Sequence, residues 1–428
     1  LCHKGDRVKA VILTAGEGLR IRPLTNNMTK GMIPIANRPI LEHIIHALKS
    51  AGVKDIIMVV GYKKEKILSH FGDGGDFDVN LTFVEQERQL GTAHALGKVK
   101  HLLGGDFVVL PGDNYIESET LSELFKEGRE PYRVVVISSH TPSKYGVVTL
   151  QNNYIRKIEV TPRASEDPRH FGIQHTLTHS MWQKEIRRSS DLIFTCICRM
   201  TPRVFDYLDE MQGIEKNNMT GLIGYMIDAG IDIDAVKTDV WLDAVYPWDL
   251  LFMNSQALAG LKSSIEGVVE KGAFLMGNVS VGKGTVIRSN CYVQGPVVIG
   301  EGCDIGPNAC IFPSTSIGDN VTIDAFTKIS NSIIMDDVAV APGSLIENSV
   351  LAFGTKCGPN ISTQNVNIDK GIREKMGFPQ SIGCIVGEDT TLGHGVAING
   401  GVVVGSGCKI DAFVQVREDV PDGSRVVR

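Results

Sequence analysis

From Val281 onward, every sixth residue is a β-branched aliphatic: Val281, Ile287, Val293, Ile299, Ile305, Ile311, Ile317, Ile323 and Ile329. A second run keeps the same step through Val386, Leu392, Ile398, Val404, Ile410 and Val416. A step of six matches neither the helical period nor the alternation of an ordinary strand. It matches a parallel β-helix of hexapeptide repeats, in which each unit stacks its aliphatic residue on those of its neighbours. Gly282, Gly300, Gly306, Gly318, Gly387, Gly393 and Gly405 directly follow a periodic residue, where a tight corner favours glycine. Between the runs Met335 to Ile385 leaves the register, and Asp369 to Pro379 reads as a protruding loop.

The first half has a different grammar. Strand-like VKAVILTA is followed by helical PILEHIIHALKSAG, DIIMVVG by KKEKILSHFG, and LTFVEQ by GTAHALGKVKHLL, before FVVLPGDN closes the set. This βαβα order predicts a Rossmann-like α/β domain with a mostly parallel sheet and ligands beyond the carboxyl ends of the strands. The expected division is residues 1–255 for the α/β domain, a linker helix over 256–270, and residues 271–428 for the β-helix. A chain of 428 residues is indeed too long for one ordinary core.

Composition removes several classes of function. A net charge of −6 argues against a general nucleic-acid binder, which carries a basic face, and makes any positive site local. No apolar run approaches the roughly 18–20 residues of a membrane span, and LCHKGDR lacks a signal peptide's apolar stretch, so a cytoplasmic protein with no membrane partner is expected. The nine cysteines, odd in number and without CxxC pairs, read as reduced buried thiols rather than a disulfide framework or a zinc site.

Chemistry concentrates in LTAGEGLRIRPLTNNMTKGMIP, directly after the first strand. Two glycines, Gly16 and Gly18, and three cations, Arg20, Arg22 and Lys30, in one loop suit a phosphate chain, because backbone N–H groups approach through the glycines while the cations neutralise charge. A dinucleotide fingerprint needs a third glycine where Ile21 stands, and the G-x-x-x-x-G-K-[ST] phosphate loop is absent. Further acidic residues sit at strand tips: Asp113 in PGDN and Asp243 in WLDAVYPWDLL. Two aspartates from distant segments suit Mg²⁺, which takes few protein carboxylates and completes its shell with phosphate oxygens and water.

With Pro23, Leu24, Thr25, Met32 and Pro34, this loop resembles the signature of the sugar-1-phosphate nucleotidylyltransferases, and the likeness extends to the bifunctional N-acetylglucosamine-1-phosphate uridylyltransferase/acetyltransferase group, archaeal type. The resemblance implies that Arg20 and Lys30 are catalytic and that Asp113 and Asp243 hold Mg²⁺. In VEQERQLGTAHAL it implies nucleotide binding by Gln86, Gly91 and Thr92 alongside Gly16 and Gly18, with Gln86 reading a uracil or thymine edge. In KYGVV it implies a backbone contact from Gly146 to the sugar. It further implies a left hand for the β-helix, association of the chain as a homo-oligomer, a trimer or a multiple of it, and displacement by a sugar 1-phosphate on a nucleoside triphosphate, with no covalent nucleophile.

Several positions depart from the family pattern. Val160 and Thr161 stand where the family has a sugar-binding glutamate and a phosphate-binding lysine, Phe194 and Cys196 replace a polar residue and a glycine, and Thr220 and Gly221 replace T-D. An insertion over 163–191 lies between these motifs, where Arg163 is a substitute for the missing lysine if the sugar pocket is rebuilt. If it is not, the chain is a catalytically weak regulatory, nucleotide-binding paralogue that assembles with an active partner. Acetyl transfer in the β-helix is disfavoured: VAVAPGSLIENSV lacks the catalytic histidine that the resemblance places there, and His394 falls at a repeat corner.

Overall fold

A computed structural model describes residues 8–126, 130–139, 146–160, 192–211, 217–368 and 380–428. The first half is built on a nine-stranded sheet. Its strands are β1 (Lys9–Thr14), β2 (Asp55–Val60), β3 (Asn80–Glu85), β4 (Phe107–Pro111), β5 (Arg133–Ser138), β6 (Gly146–Gln151), β7 (Tyr154–Val160), β8 (Leu192–Met200) and β9 (Asp234–Lys237), in the order β3-β2-β1-β4-β8-β5-β9-β7-β6. The first four in that order run parallel, whereas β8 is antiparallel to both β4 and β5. The apolar runs read from the sequence are these parallel strands. Val11, Ile12, Val59, Val108 and Val109 are fully buried because helices cover both faces.

The second half is a left-handed parallel β-helix, with short strands stacked into three sheets of eight, nine and eight strands. All fifteen periodic aliphatics point inward, and none is more than 4% exposed. The glycines after them have a different reason from tight turning. A Cβ on Gly282 would lie 2.5 Å from Gly300 of the next coil, so glycine there permits backbone to stack on backbone. The irregular middle also keeps its core: Ile299 pairs with Ile317, but Ile317 pairs with Ile334, one residue sooner. A corner shortened by one residue shifts the sequence register while the stack continues through Val340, Ile346 and Leu351. Val366–Asn367 and Ser381–Ile382 then pair antiparallel, and the segment 369–379, expected as a protruding loop, lies outside the described residues.

The junction differs from the expected linker helix over 256–270. The helix here is Asp249–Ala259, and the first β-helix strands, Ser264–Ile265 and Val268–Val269, already occupy that interval. Asp249 starts the helix early, since its Oδ2 accepts from the N–H groups of Val245 (2.9 Å) and Tyr246 (2.7 Å). Gly260 follows its last turn. The halves are joined by packing too. One hydrophobic cluster runs from Ile33, Ile35 and Leu251 of the first into Ile333, Met335, Val350 and Ile385 of the second.

Candidate nucleotide site

The glycine-rich loop leaves β1 and makes two short 3-10 turns, Leu19–Ile21 and Lys30–Met32. Gly18 begins the first in a left-handed conformation (φ 69°), with its carbonyl accepting from Thr25 Oγ1 at 2.9 Å. Gly16 is exposed, and a Cβ placed there would meet nothing within 4 Å. It therefore faces open space that a phosphate chain can fill. The backbone of Gly31 approaches Gly112 so closely that a Cβ on Gly31 would lie 2.6 Å from the Gly112 carbonyl oxygen. That approach brings Lys30 to the strand tip carrying Asp113.

Lys30 Nζ lies 2.5 Å from Asp113 Oδ2 and 3.5 Å from Asp243 Oδ1. Asp243 ends a short strand, Trp241–Asp243, paired antiparallel to Asn114–Ile116, so the two acidic motifs are register neighbours. Asn114 donates from Nδ2 to Asp243 Oδ1 at 3.2 Å and to Asp113 Oδ1 at 3.4 Å. Burial pushes the Asp243 carboxyl up to about 7, opposed by the Lys30 charge and assisted by Asp113 and Asp249. Burial also pulls the Lys30 ammonium down, but Asp113 and Asp243 together outweigh it and hold the group above its ordinary value. Lys30 is thus a fixed cation between two carboxylates, one of them reluctant to ionise.

Asp113 and Asp243 supply a donor set of carboxylate oxygens, the kind a hard divalent ion prefers. Asn114 Oδ1 is buried beside them without a hydrogen-bond partner among the described residues. The residues present therefore fit Mg²⁺. Arg20, on the first 3-10 turn, makes no hydrogen bond or ion pair with the described residues, whereas Arg22 is tied to Glu17 at 2.5 Å. Of the loop's two arginines, Arg20 is the one left for a ligand.

Gln86 follows β3 and is 4% exposed. Its Nε2 donates to the Gly91 carbonyl at 3.1 Å and lies 2.8 Å from His94 Nδ1. A carbonyl can only accept, so the first contact fixes the amide's orientation and makes His94 Nδ1 an acceptor. Burial, with Lys98 nearby, lowers the His94 pKa and favours that neutral ring. Gln86 consequently presents Oε1, an acceptor without a partner among the described residues. Gly91 holds φ 117°, and a Cβ there would lie 2.2 Å from the Asn217 carbonyl oxygen. Thr92 Oγ1 accepts from the N–H of Met219 at 2.9 Å, fastening this segment to the helix Met219–Asp228.

Sequence reasoning gave no role to His94 or Asn114, although both stand inside the quoted motifs. Their signal is visible only as geometry, because each works by orienting a neighbour.

The altered sugar-side positions divide. Gly146 is buried, with its Cα packed so that a Cβ would lie 3.0 Å from Thr220 Cγ2. Gly221 N donates to Asn218 Oδ1 at 2.6 Å, capping the helix. Phe194 is buried in the core. Cys196 adopts φ 63° at an irregularity in β8, a left-handed conformation that glycine takes without strain. Thr161, Arg163 and the rest of the 163–191 insertion lie outside the described residues. In the β-helix, His394 stacks edge-on against Phe413 with centroids 4.9 Å apart. Among the described residues no helix is long and apolar enough to cross a membrane, and no group of three or more histidine, cysteine, aspartate or glutamate side chains is arranged to hold a metal.

A mixed sheet whose parallel strands carry this loop and Asp113, with Asp243 on an adjoining two-stranded pair, continued by a hexapeptide β-helix, defines a class: a nucleotidyltransferase with a β-helical second domain. The chain belongs to the Nucleotidyl transferase family, which it matches over residues 9–244, and within it to the sugar-1-phosphate nucleotidylyltransferases. Residues 268–313 match the bacterial transferase hexapeptide repeats, and residues 293–405 match the GMPPB C-terminal domain. The bifunctional protein GlmU of Methanococcus vannielii is 32% identical over 98% of this chain and 97% of its own length. The glucose-1-phosphate thymidylyltransferase of Streptomyces antibioticus is 30% identical over 65% of this chain and 74% of its own. Among solved structures, a Bacillus anthracis protein assigned as a glucose-1-phosphate thymidylyltransferase superposes with a TM-score of 0.50 at 25% identity, covering 59% of this chain and 95% of that one.

Proposed function

We propose that the protein transfers a nucleotidyl group from UTP or dTTP to glucose 1-phosphate or N-acetylglucosamine 1-phosphate, releasing pyrophosphate. The observation that carries this reading is Lys30 held between Asp113 and Asp243, in a loop whose Arg20 has no partner among the described residues and whose Gly16 faces open space. Arg20 and Lys30 bind and neutralise the triphosphate, and the loop backbone at Gly16 and Gly18 approaches it. Asp113 and Asp243 would hold Mg²⁺, which when bound supplies further charge neutralisation on the phosphate oxygens. The sugar phosphate oxygen attacks the α-phosphorus, and the protein contributes positioning and charge rather than a covalent intermediate.

Gln86 supports the choice of base. An outward acceptor suits the ring N–H of uracil or thymine and finds no donor at the corresponding atom of cytosine or adenine. Guanine also offers such a hydrogen, so the pyrimidine preference rests on the motif as well as on Oε1. Assembly through the β-helix accompanies this reading. Its first coil exposes Val268 (58%) and Phe274 (56%), an apolar end that association would cover.

The test is pyrophosphate release by the purified chain with Mg²⁺, using UTP, dTTP, GTP and ATP against glucose, N-acetylglucosamine, glucosamine and mannose 1-phosphates. Turnover with UTP or dTTP and one of the first two sugars is expected. Nucleotide binding without turnover on any sugar would overturn the transfer reading in favour of a regulatory paralogue.

A further inference from the structure

The loop bearing Lys30 does not stand on the α/β domain alone. Asn27 Nδ2 donates to Glu388 Oε2 at 2.6 Å, and Asn26 Nδ2 donates to Asp422 Oδ2 at 3.0 Å and Ser406 Oγ at 3.3 Å. All three partners belong to the β-helix. Asp422 is itself fixed, since its Oδ1 accepts from Ser406 N at 2.7 Å. The opposite side of the cluster is gripped by the same domain. Val366, Ile368 and Ile382 pack on Val245, Tyr246 and Trp248, the residues that follow Asp243.

Glu388 stands out at this interface. It is 8% exposed, and its buried Oε1 has no partner among the described residues. A buried carboxylate with one oxygen unsatisfied weakens a fold, so stability does not account for its presence. What Glu388 does provide is a short, charge-assisted hydrogen bond to a loop residue three positions before Lys30.

We propose that Glu388 is a positioning residue for nucleotidyl transfer: through Asn27 it holds the Lys30 loop in its reacting geometry, making the β-helix part of the catalytic apparatus. This rests on the transfer reading given above. Asn27 stands three residues before Lys30 in the same loop, joined to it through Met28 and the extended Thr29, so slack at Asn27 displaces the ammonium from Asp113. Small displacements of this kind reduce the chemical step more than they reduce binding.

The experiment uses the full chain with Glu388→Ala and Glu388→Gln. The glutamine carbonyl still accepts from Asn27, so this variant separates the hydrogen bond from the charge. Glu388→Ala is expected to lower kcat roughly tenfold to a hundredfold while KM for the nucleotide stays within about twofold. It should also speed hydrogen exchange of backbone amides 24–33. Glu388→Gln is expected to restore both readouts. Unchanged kcat and unchanged exchange in Glu388→Ala would overturn the proposal. So would a Glu388→Gln variant as impaired as Glu388→Ala in both. If the parent chain turns over no substrate, the exchange readout still decides: faster exchange in Glu388→Ala, reversed in Glu388→Gln, upholds the clamp while the transfer reading fails, and unchanged exchange overturns the clamp.

Discussion

Lys30 and Asp113 approach within 2.5 Å through side chains that are 16% and 29% exposed, on loops that leave neighbouring strands of one sheet. With Asp243 on the far side of the ammonium, the site carries one cation against two carboxylates. Removing the cation leaves like charges facing each other in a poorly solvated pocket. Lys30→Met should therefore lose about 2 kcal/mol of stability, less than a wholly buried pair because solvent still reaches the group. Millimolar Mg²⁺ should recover more stability in the variant than in the parent. Urea melts with and without the ion test this, and a variant as stable as the parent without Mg²⁺ would show that the ion pair holds nothing in place.

The Asp113→Asn change keeps the shape of the strand tip while deleting a charge. It should lower kcat by roughly a hundredfold to a thousandfold, with little change in the melting temperature. Pyrophosphate release and differential scanning fluorimetry on the same preparation read the two effects separately. A large loss of stability would instead assign Asp113 a structural role.

Gly16 and Gly91 make a paired test of space against strain. An alanine at Gly91 meets the Asn217 carbonyl and sits at φ 117°, so Gly91→Ala should destabilise the domain by about 2 kcal/mol or more. An alanine at Gly16 meets no protein atom, so Gly16→Ala should leave stability within about 0.5 kcal/mol. Its effect should appear as a raised KM for the nucleoside triphosphate, since the methyl group enters the space assigned to phosphates. Unaltered kinetics in Gly16→Ala would place the phosphates elsewhere.

The parts legible in the sequence are those where packing imposes a period or a motif keeps its spacing. Ile305 stacks on Ile287 and Ile323 because every coil repeats the same geometry, and that repetition is written into the residues. The shortened coil between Ile317 and Ile334 was harder to see: one missing corner residue breaks the pattern on paper while the stack carries on. The junction helix begins at Asp249 because a single carboxylate collects two backbone N–H groups, a local event with no periodic trace. The bond from Asn27 to Glu388 joins two residues that mean nothing separately. Gln86 could be picked from its motif, but its orientation depends on the Gly91 carbonyl and the His94 ring.

That orientation is testable through His94. His94→Leu removes the acceptor opposite Gln86 Nε2 and lets the amide turn about its remaining bond to Gly91. Discrimination between UTP and CTP, taken as the ratio of kcat/KM values, should fall roughly tenfold, in line with one misplaced hydrogen bond. His94→Asn restores a side-chain acceptor and should recover part of the ratio. Undiminished discrimination in His94→Leu would mean that Gly91 alone sets the amide.

His43 supplies a pH dependence away from the chemistry. Its Nε2 donates to the Ile35 carbonyl at 2.9 Å on the helix Ile40–Ser50, and burial, with Arg38 nearby, lowers its pKa in the folded chain. The unfolded chain keeps the ordinary value of about 6.5. Below that pH the unfolded state takes up a proton that the folded state resists, so stability is full above about 6.5 and falls as the pH drops toward the folded value. His43→Gln retains a donor for Ile35 but cannot titrate. The fall in unfolding free energy between pH 7 and pH 5.5 should be smaller in His43→Gln than in the parent by about 1 kcal/mol. Parallel urea titrations at the two pH values measure the difference, and identical slopes in parent and variant would show that His43 binds its proton equally well in both states.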